Sequence, residues 1–300
     1  MTSTRLSLQR RETVAFYLCI SPWLIGFVLF VLGPMVASLG LSLTRWDLLR
    51  DPRFVGLENY QRLFTKDPLF WQSLRVTLRY TLLYVPTELI GGLLLALLMN
   101  QRIRGIALFR TIYYLPSVLS GVAFVVVWMW LLHPEAGLVN AFLGIFGIPG
   151  PRWLTDPDTA LYALWMMSIW GLGRTAIIYL AGLKDIPNEL YEAAAMDGAG
   201  AWRAFRNITL PMLTPTIFFN LVLSVIATFQ TFTSAFVATN GGPLDSTLFY
   251  VLYIYRNAFQ LFKMGYAAAL AWVLFVIILA LTLLIVRSAR RWVFYGGEAN

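Results

Sequence analysis

Residues 190–211 read LYEAAAMDGAGAWRAFRNITLP, a long polar segment set between two apolar runs in the second half of the chain. Pro187 suits the first turn of a helix, Asn188 and Glu189 complement the positive end of its dipole, and Gly198 can adopt the left-handed backbone that stops it. The spacing predicts a short helix over NELYEAAAMD, a reversal at Gly198, a second short helix over AWRAFRNI, and entry into the next apolar run at Pro211. So short a helix is marginal alone in water, because nucleation is unfavourable and tertiary packing supplies most helix stability. Something must hold it. Ala193, Ala194 and Ala195 leave a slim face that can enter a groove closely, and Glu192 places one carboxylate at its edge, the shape of a plug for a socket on another protein.

Outward from this loop the chain is apolar. It has 300 residues, of which 59% are hydrophobic and 13% charged, with mean hydropathy +0.69; a soluble domain carries about 25% charged residues. That excludes an ordinary soluble enzyme. Apolar runs occupy residues 14–43, 76–99, 111–132, 160–182, 212–238 and 266–287. A run of about 18 or more residues crosses a hydrocarbon core of about 30 Å as a helix that satisfies its own backbone. The expected fold is therefore an all-α integral membrane protein, a single domain over 1–300 with six transmembrane helices, in which 184–210 joins the fourth to the fifth. Arg5, Arg10 and Arg11 precede the first run, as in a signal peptide, but a signal's apolar core is only about 7–15 residues long. The first run reads as a retained span.

Lys and Arg near span ends set orientation. With both termini cytosolic, that face holds Arg5, Arg10, Arg11, Arg102, Arg104, Arg110, Lys184, Arg203, Arg206, Arg287, Arg290 and Arg291, twelve bases, against six acids including Glu298. The outer segments hold eight of each. Both termini are therefore expected on the cytosolic side, and the net charge of +8 reflects topology. A nucleic-acid partner has no support, since no basic and aromatic surface is gathered in a soluble domain.

Other chemistries find no footing. Cys19 is the single cysteine and His133 the single histidine, so neither a disulfide nor a clustered metal site is expected. Gly144, Gly147 and Gly150 are loosely spaced like a nucleotide fingerprint but lack its strand and helix, and no phosphate loop is present. A secondary transporter working alone would want an ion relay and an internal repeat; a membrane enzyme would want clustered catalytic groups at one face. Neither pattern is visible. Trp128, Trp130 and Trp272 read as interfacial or lipid-facing aromatics. FVGLENYQRLF, residues 54–64, carries Leu57, Tyr60, Leu63 and Phe64 at helical spacing and is expected to form a short amphipathic element along the membrane surface.

The loop's residues match a known pattern: Glu192-Ala193-Ala194, then Asp197-Gly198, nine residues to Ile208, then Leu210-Pro211. This resembles the EAA loop of permease subunits of binding-protein-dependent ABC importers. The likeness extends through FVGLENYQRLF, YYLPSVLSG (113–121), GLKDIPNELYEAA (182–194), TNGGPLDSTLFYVLYIYRNAF (239–259) and MGYAAAL (264–270), and is similar to the carbohydrate-uptake, maltose-type branch. The resemblance implies the ABC type I importer permease fold in a bacterial or archaeal cytoplasmic membrane. It implies coupling helices over 188–207 that enter a cleft of a cytosolic ATPase, with Glu192 pairing a base there. The implied partners are two ATPase subunits that hold ATP and Mg, a second permease (a different chain or a second copy), an extracytoplasmic solute-binding protein, and a sugar. No cofactor is expected on this chain, and the subunit is not itself catalytic.

By position, the resemblance carries the sugar pathway onto Trp170, Gly171, Arg174 and Thr175 before the loop and Gln230, Thr231 and Ser234 after it. Sugars want aromatic faces beside hydroxyl and amide partners. Glu88 and Arg174 are the two charges well inside spans, where charge is expensive and points to function. Either both face the pathway, or they pair with each other, or Glu88 snorkels toward water. Arg174 stands where sugar permeases more usually carry an apolar or aromatic residue, and an arginine can clamp a carboxylate or phosphate through two parallel hydrogen bonds.

Overall fold

A computed structural model describes residues 3–101 and 104–294, with side chains from residue 8 onward. Arg102, Glu298 and the side chain of Arg5, which enter the charge count, lie outside the described residues. In chain order the principal helices are α1 (Leu8–Ser42), α2 (Glu58–Lys66), α3 (Pro68–Met99), α4 (Ile106–Val118), α5 (Gly121–Leu131), α6 (Leu138–Ile145), α7 (Ala160–Lys184), α8 (Asn188–Met196), α9 (Ala201–Ala204), α10 (Thr214–Ala238), α11 (Tyr250–Tyr255) and α12 (Met264–Ala289). The helices α1, α3, α7, α10 and α12 are long and apolar enough to cross a membrane, and each stands where a span is expected.

The third expected span, 111–132, is built from two helices, α4 and α5, that meet at 103° and make the sixth span if the bent pair counts as one. Pro116 lies inside the last turn of α4, and Leu119 and Ser120 are extended, with ψ of 142° and 143°. Ser120 then caps the next helix by accepting from the Ala123 N–H at 3.4 Å. Hydropathy registers the apolar content of both pieces and is blind to the change of direction between them.

The chain divides into two compact units. One comprises Met1–Lys66 with Arg256–Trp272. In it, a two-stranded antiparallel hairpin, β1 (Thr44–Arg45) on β2 (Arg53–Phe54), follows α1. The helix α2 closes over the end of α1: Asn59 Nδ2 donates to the carbonyls of Ser42 and Thr44, both at 2.8 Å, and the Tyr60 and Ser42 hydroxyls meet at 2.8 Å. Leu63 is fully buried, whereas Leu57 and Phe64 face outward. The expected amphipathic helix is present, but the face it turns to the chain is that of Asn59 and Leu63. Arg62 lies over the Tyr266 ring at 5.2 Å. Asn59→Leu strands two carbonyls at a helix end, which costs about 1–3 kcal/mol. The expected result is a lower midpoint of thermal unfolding in detergent, and an unchanged midpoint would mean that solvent satisfies both carbonyls.

The second unit comprises Asp67–Tyr255 with Val273–Asn300. Asp67 caps α3 by accepting from the N–H groups of Leu69 and Phe70 at 3.0 and 3.2 Å, and Pro68 occupies the first helical position. The helices α3 and α7 approach closely because Gly92 faces Thr175: a Cβ at Gly92 would lie 2.9 Å from a Thr175 methyl. Small residues serve this purpose between spans, where packing rather than the hydrophobic effect drives association. A Cβ at Gly173 would sit 2.0 Å from the Tyr113 carbonyl, so the same helix also touches α4.

Candidate translocation path and helical loop

Inside the second unit a polar seam joins three spans. Glu88, half-buried on α3, accepts from Thr175 Oγ1 of α7 at 2.7 Å and, through its other oxygen, from Ser224 Oγ of α10. The Tyr80 and Ser168 hydroxyls meet at 2.6 Å, and Trp165 Nε1 donates to Thr87 Oγ1 at 3.2 Å, both between α3 and α7. Shared contact with one carboxyl group puts Thr175 and Ser224 at one depth. Trp170 precedes Thr175 by five residues and Gln230 follows Ser224 by six, about 7.5 and 9 Å along consecutive spans of opposite direction. Both therefore lie on the same side of the Glu88 bridge and at similar depth.

At that depth three spans lose their regular helix. The helix α7 tightens to a 3₁₀ turn at Trp170–Leu172, α10 is interrupted at 230–232, and α4 gives way to α5 before Gly121. These interruptions are neighbours. The Trp170 ring lies 5.5 Å from Phe124 and 5.8 Å from Trp128, both on α5, and a Cβ at Gly121 would be 3.5 Å from Thr233. Irregular backbone at membrane depth is tolerated where it is enclosed by protein or lines a polar cavity. The arrangement offers exposed indole, amide and guanidinium groups from Trp170, Gln230 and Arg174.

The 184–211 loop is built from below. Just past the end of α8, Gly198 has φ +74°, its N–H bonds the Ala195 carbonyl at 3.1 Å, and the Ala199 N–H bonds the Ala194 carbonyl at 2.9 Å, the paired bonds of a Schellman stop. Four-residue α9 follows, running through a wide π turn, Phe205–Thr209, into Leu210 and Pro211. Tyr191 OH meets buried Thr209 Oγ1 at 2.9 Å. Tyr191, Ile208 and Met212 pack on a core of Ala96, Met99, Ala176, Tyr179, Leu180, Leu183, Ile186 and Leu213. With that side anchored, Glu192, Ala193, Ala195 and Asp197 point away from the chain, as do Met196 and Trp202, 89% and 72% exposed.

The model of one family, described as the binding-protein-dependent transport system inner membrane component, matches residues 88–293, which include the bridge, the interruptions and the whole loop. The chain belongs to this family. It is 44% identical over 293 residues to the probable ABC transporter permease protein YesP of Bacillus subtilis, covering 96% of this chain and 94% of that protein. It is 32% identical over 285 residues to the trehalose/maltose transport system permease protein MalF of Thermococcus litoralis, covering 94% and 96%. Among solved structures it is similar to a chain of a bacterial alginate ABC transporter crystallised with an alginate pentasaccharide-bound periplasmic protein, with TM-score 0.84, 26% identity, and 96% and 98% of the two chains covered. The permease has the ABC type I importer fold, is a multi-pass inner-membrane component, and leaves ATP hydrolysis to separate ATPase subunits.

Within the permease, the loop residues singled out by sequence divide by role. Glu192, Ala193 and Asp197 are exposed, Ala194 is half-buried and its carbonyl closes the helix, and Ile208, Leu210 and Pro211 are partly buried at the base. In the interior, Trp170, Arg174 and Gln230 are exposed, Gly171, Thr231 and Ser234 are half-buried, and Thr175 is buried against Glu88. Of the expectations for Glu88 and Arg174, mutual pairing is absent: no ion pair joins them among the described residues, and Glu88 is held by hydroxyls instead. Trp128 needs correction. It packs edge-on to Trp170, and its buried Nε1 has no hydrogen-bond partner among the described residues. Trp202 and Met196 were missed as candidates; the signal was an indole and a thioether in an otherwise polar loop with no apolar period to bury them.

Proposed function

We propose that this permease is the membrane-spanning subunit of an ATP-driven importer for a sugar, oligosaccharide or sugar derivative. The observation that carries it is the helical loop anchored by Tyr191 and Ile208 while Glu192, Met196 and Trp202 stand exposed. An exposed aromatic, a thioether and a carboxylate on a rigid stop-and-turn are the anchors of a protein interface. The occupant of that surface is a cytosolic ATPase, which holds ATP and Mg, and the charge asymmetry of the loops supports cytosolic termini and a cytosolic loop. The sugar class is supported by two relatives, the trehalose/maltose permease and the alginate transporter. The chain works as one permease beside a second permease subunit, with two ATPases and an extracytoplasmic binding protein. ATP binding draws the ATPases together, moves the loops, and turns the pathway from inward to outward access.

Gentle solubilisation and affinity capture of the tagged permease tests this. The expected result is recovery of an ATPase and a second permease in a complex with ATPase activity, and loss of the ATPase from Trp202→Glu and Glu192→Lys variants that still accumulate in the membrane. A chain that purifies alone and moves solute down an ion gradient would overturn the reading.

A further inference from the structure

We infer that Arg174 is a specificity-determining residue that selects a carboxylated saccharide, and this rests on the importer reading above. Arg174 is the fifteenth residue of α7, about 15–21 Å from either end of that span. An arginine so placed lies too deep for its side chain to reach lipid headgroups, and charge at that depth is retained for a partner. Among the described residues its guanidinium makes no ion pair and no hydrogen bond; it lies within electrostatic range of the Tyr84 hydroxyl on α3, and its side chain is exposed. The neighbouring acid is occupied, because both Glu88 oxygens accept hydroxyl protons from Thr175 and Ser224. Thr175 turns toward that bridge, so the adjacent Arg174 projects to another side of the helix, as consecutive helical residues do.

The surroundings complete a saccharide acid's requirements. One helical turn away, Trp170 presents a ring 40% exposed, backed by Phe124 and Trp128, and Gln230 adds an exposed amide at similar depth. An indole face accepts the apolar side of a sugar ring, an amide serves its hydroxyls, and a planar guanidinium binds a carboxylate through two parallel bonds. A lysine supplies the charge without the fork.

The test uses the assembled importer in proteoliposomes, with ATP-dependent uptake measured for uronic-acid oligosaccharides and for their methyl esters, which keep the sugar and remove the charge. The wild type is expected to prefer the acids. Arg174→Gln is expected to lower acid uptake at least tenfold and ester uptake less than threefold, with the partner subunits still co-purifying, and Arg174→Lys is expected to fall between. A wild type that imports uncharged sugars but no acids, or imports acid and ester equally, overturns the inference and leaves the importer reading intact. So does an Arg174→Gln complex that loses uptake of both forms equally or loses the second permease, which would assign the arginine to assembly. A chain that captures no ATPase overturns both.

Discussion

Gly198→Val is expected to abolish ATP-driven uptake while the amount of permease in the membrane stays at the wild-type level. The residue has φ +74°, a conformation that costs an L-residue roughly 1–2 kcal/mol and a β-branched one more. Nothing lies within 4 Å of a Cβ built there, so the demand for glycine comes from the backbone alone and the substitution does not disturb the core. The nine-residue α8 has little stability of its own, and its stop is made by the bonds from Gly198 and Ala199 to the Ala195 and Ala194 carbonyls. Forcing φ negative breaks both bonds and re-aims α9, so that Trp202 no longer shares a surface with Glu192 and Met196. On the proposed coupling role, the ATPase then loses its socket fit. Gly198→Asn tolerates the left-handed region and is expected to keep at least a third of the uptake. Uptake normalised to membrane levels read by immunoblot separates coupling from expression. Wild-type transport by the valine variant would show that the reversal does not matter.

Much of the loop was legible in sequence because its determinants are local. Pro187 before α8 and Gly198 after it mark the ends within one short segment, and the structure places α8 between them. The five long spans were legible because each is a continuous apolar run. What sequence could not give was direction and pairing. Pro116 and Gly121 bracket the 103° bend, yet both residue types also occur in unbroken spans: Pro86 lies inside α3 without ending it. The partners of Glu88 stand 87 and 136 residues away, and hydroxyls carry no sequence mark that distinguishes a bridge from a helix surface. Sequence therefore left Arg174, the other charge well inside a span, as one candidate partner beside the reading in which both charges face the pathway. Trp128 was misplaced for the same reason: its contact with Trp170 depends on the bend that hydropathy does not register.

Glu88→Leu is expected to lower stability by about 2–4 kcal/mol and to remove transport with it. Its carboxyl group is the point where α3, α7 and α10 are tied, and Thr175 and Ser224 are each 4% exposed. Removing one partner of a buried hydrogen bond costs about 1–3 kcal/mol, and two such hydroxyls are stranded. Rebonding to carbonyls of their own helices recovers part of that, which sets the upper limit. Glu88→Gln distinguishes a bridge from a pathway charge. The amide retains one acceptor oxygen, so it can hold one hydroxyl well and must offer a nitrogen donor toward the other, whose oxygen can accept. A bridge is then largely preserved, with a loss of about 1 kcal/mol and most of the uptake retained. Thr175→Val and Ser224→Ala, combined with Glu88→Leu, are expected to be non-additive, because the three residues form one network. Thermal unfolding in detergent, followed by tryptophan fluorescence, reads the stability of each variant. A glutamine variant as stable as wild type but devoid of uptake would assign Glu88's charge to the pathway. That would leave the tie between the spans to the hydroxyls and to the close contact at Gly92.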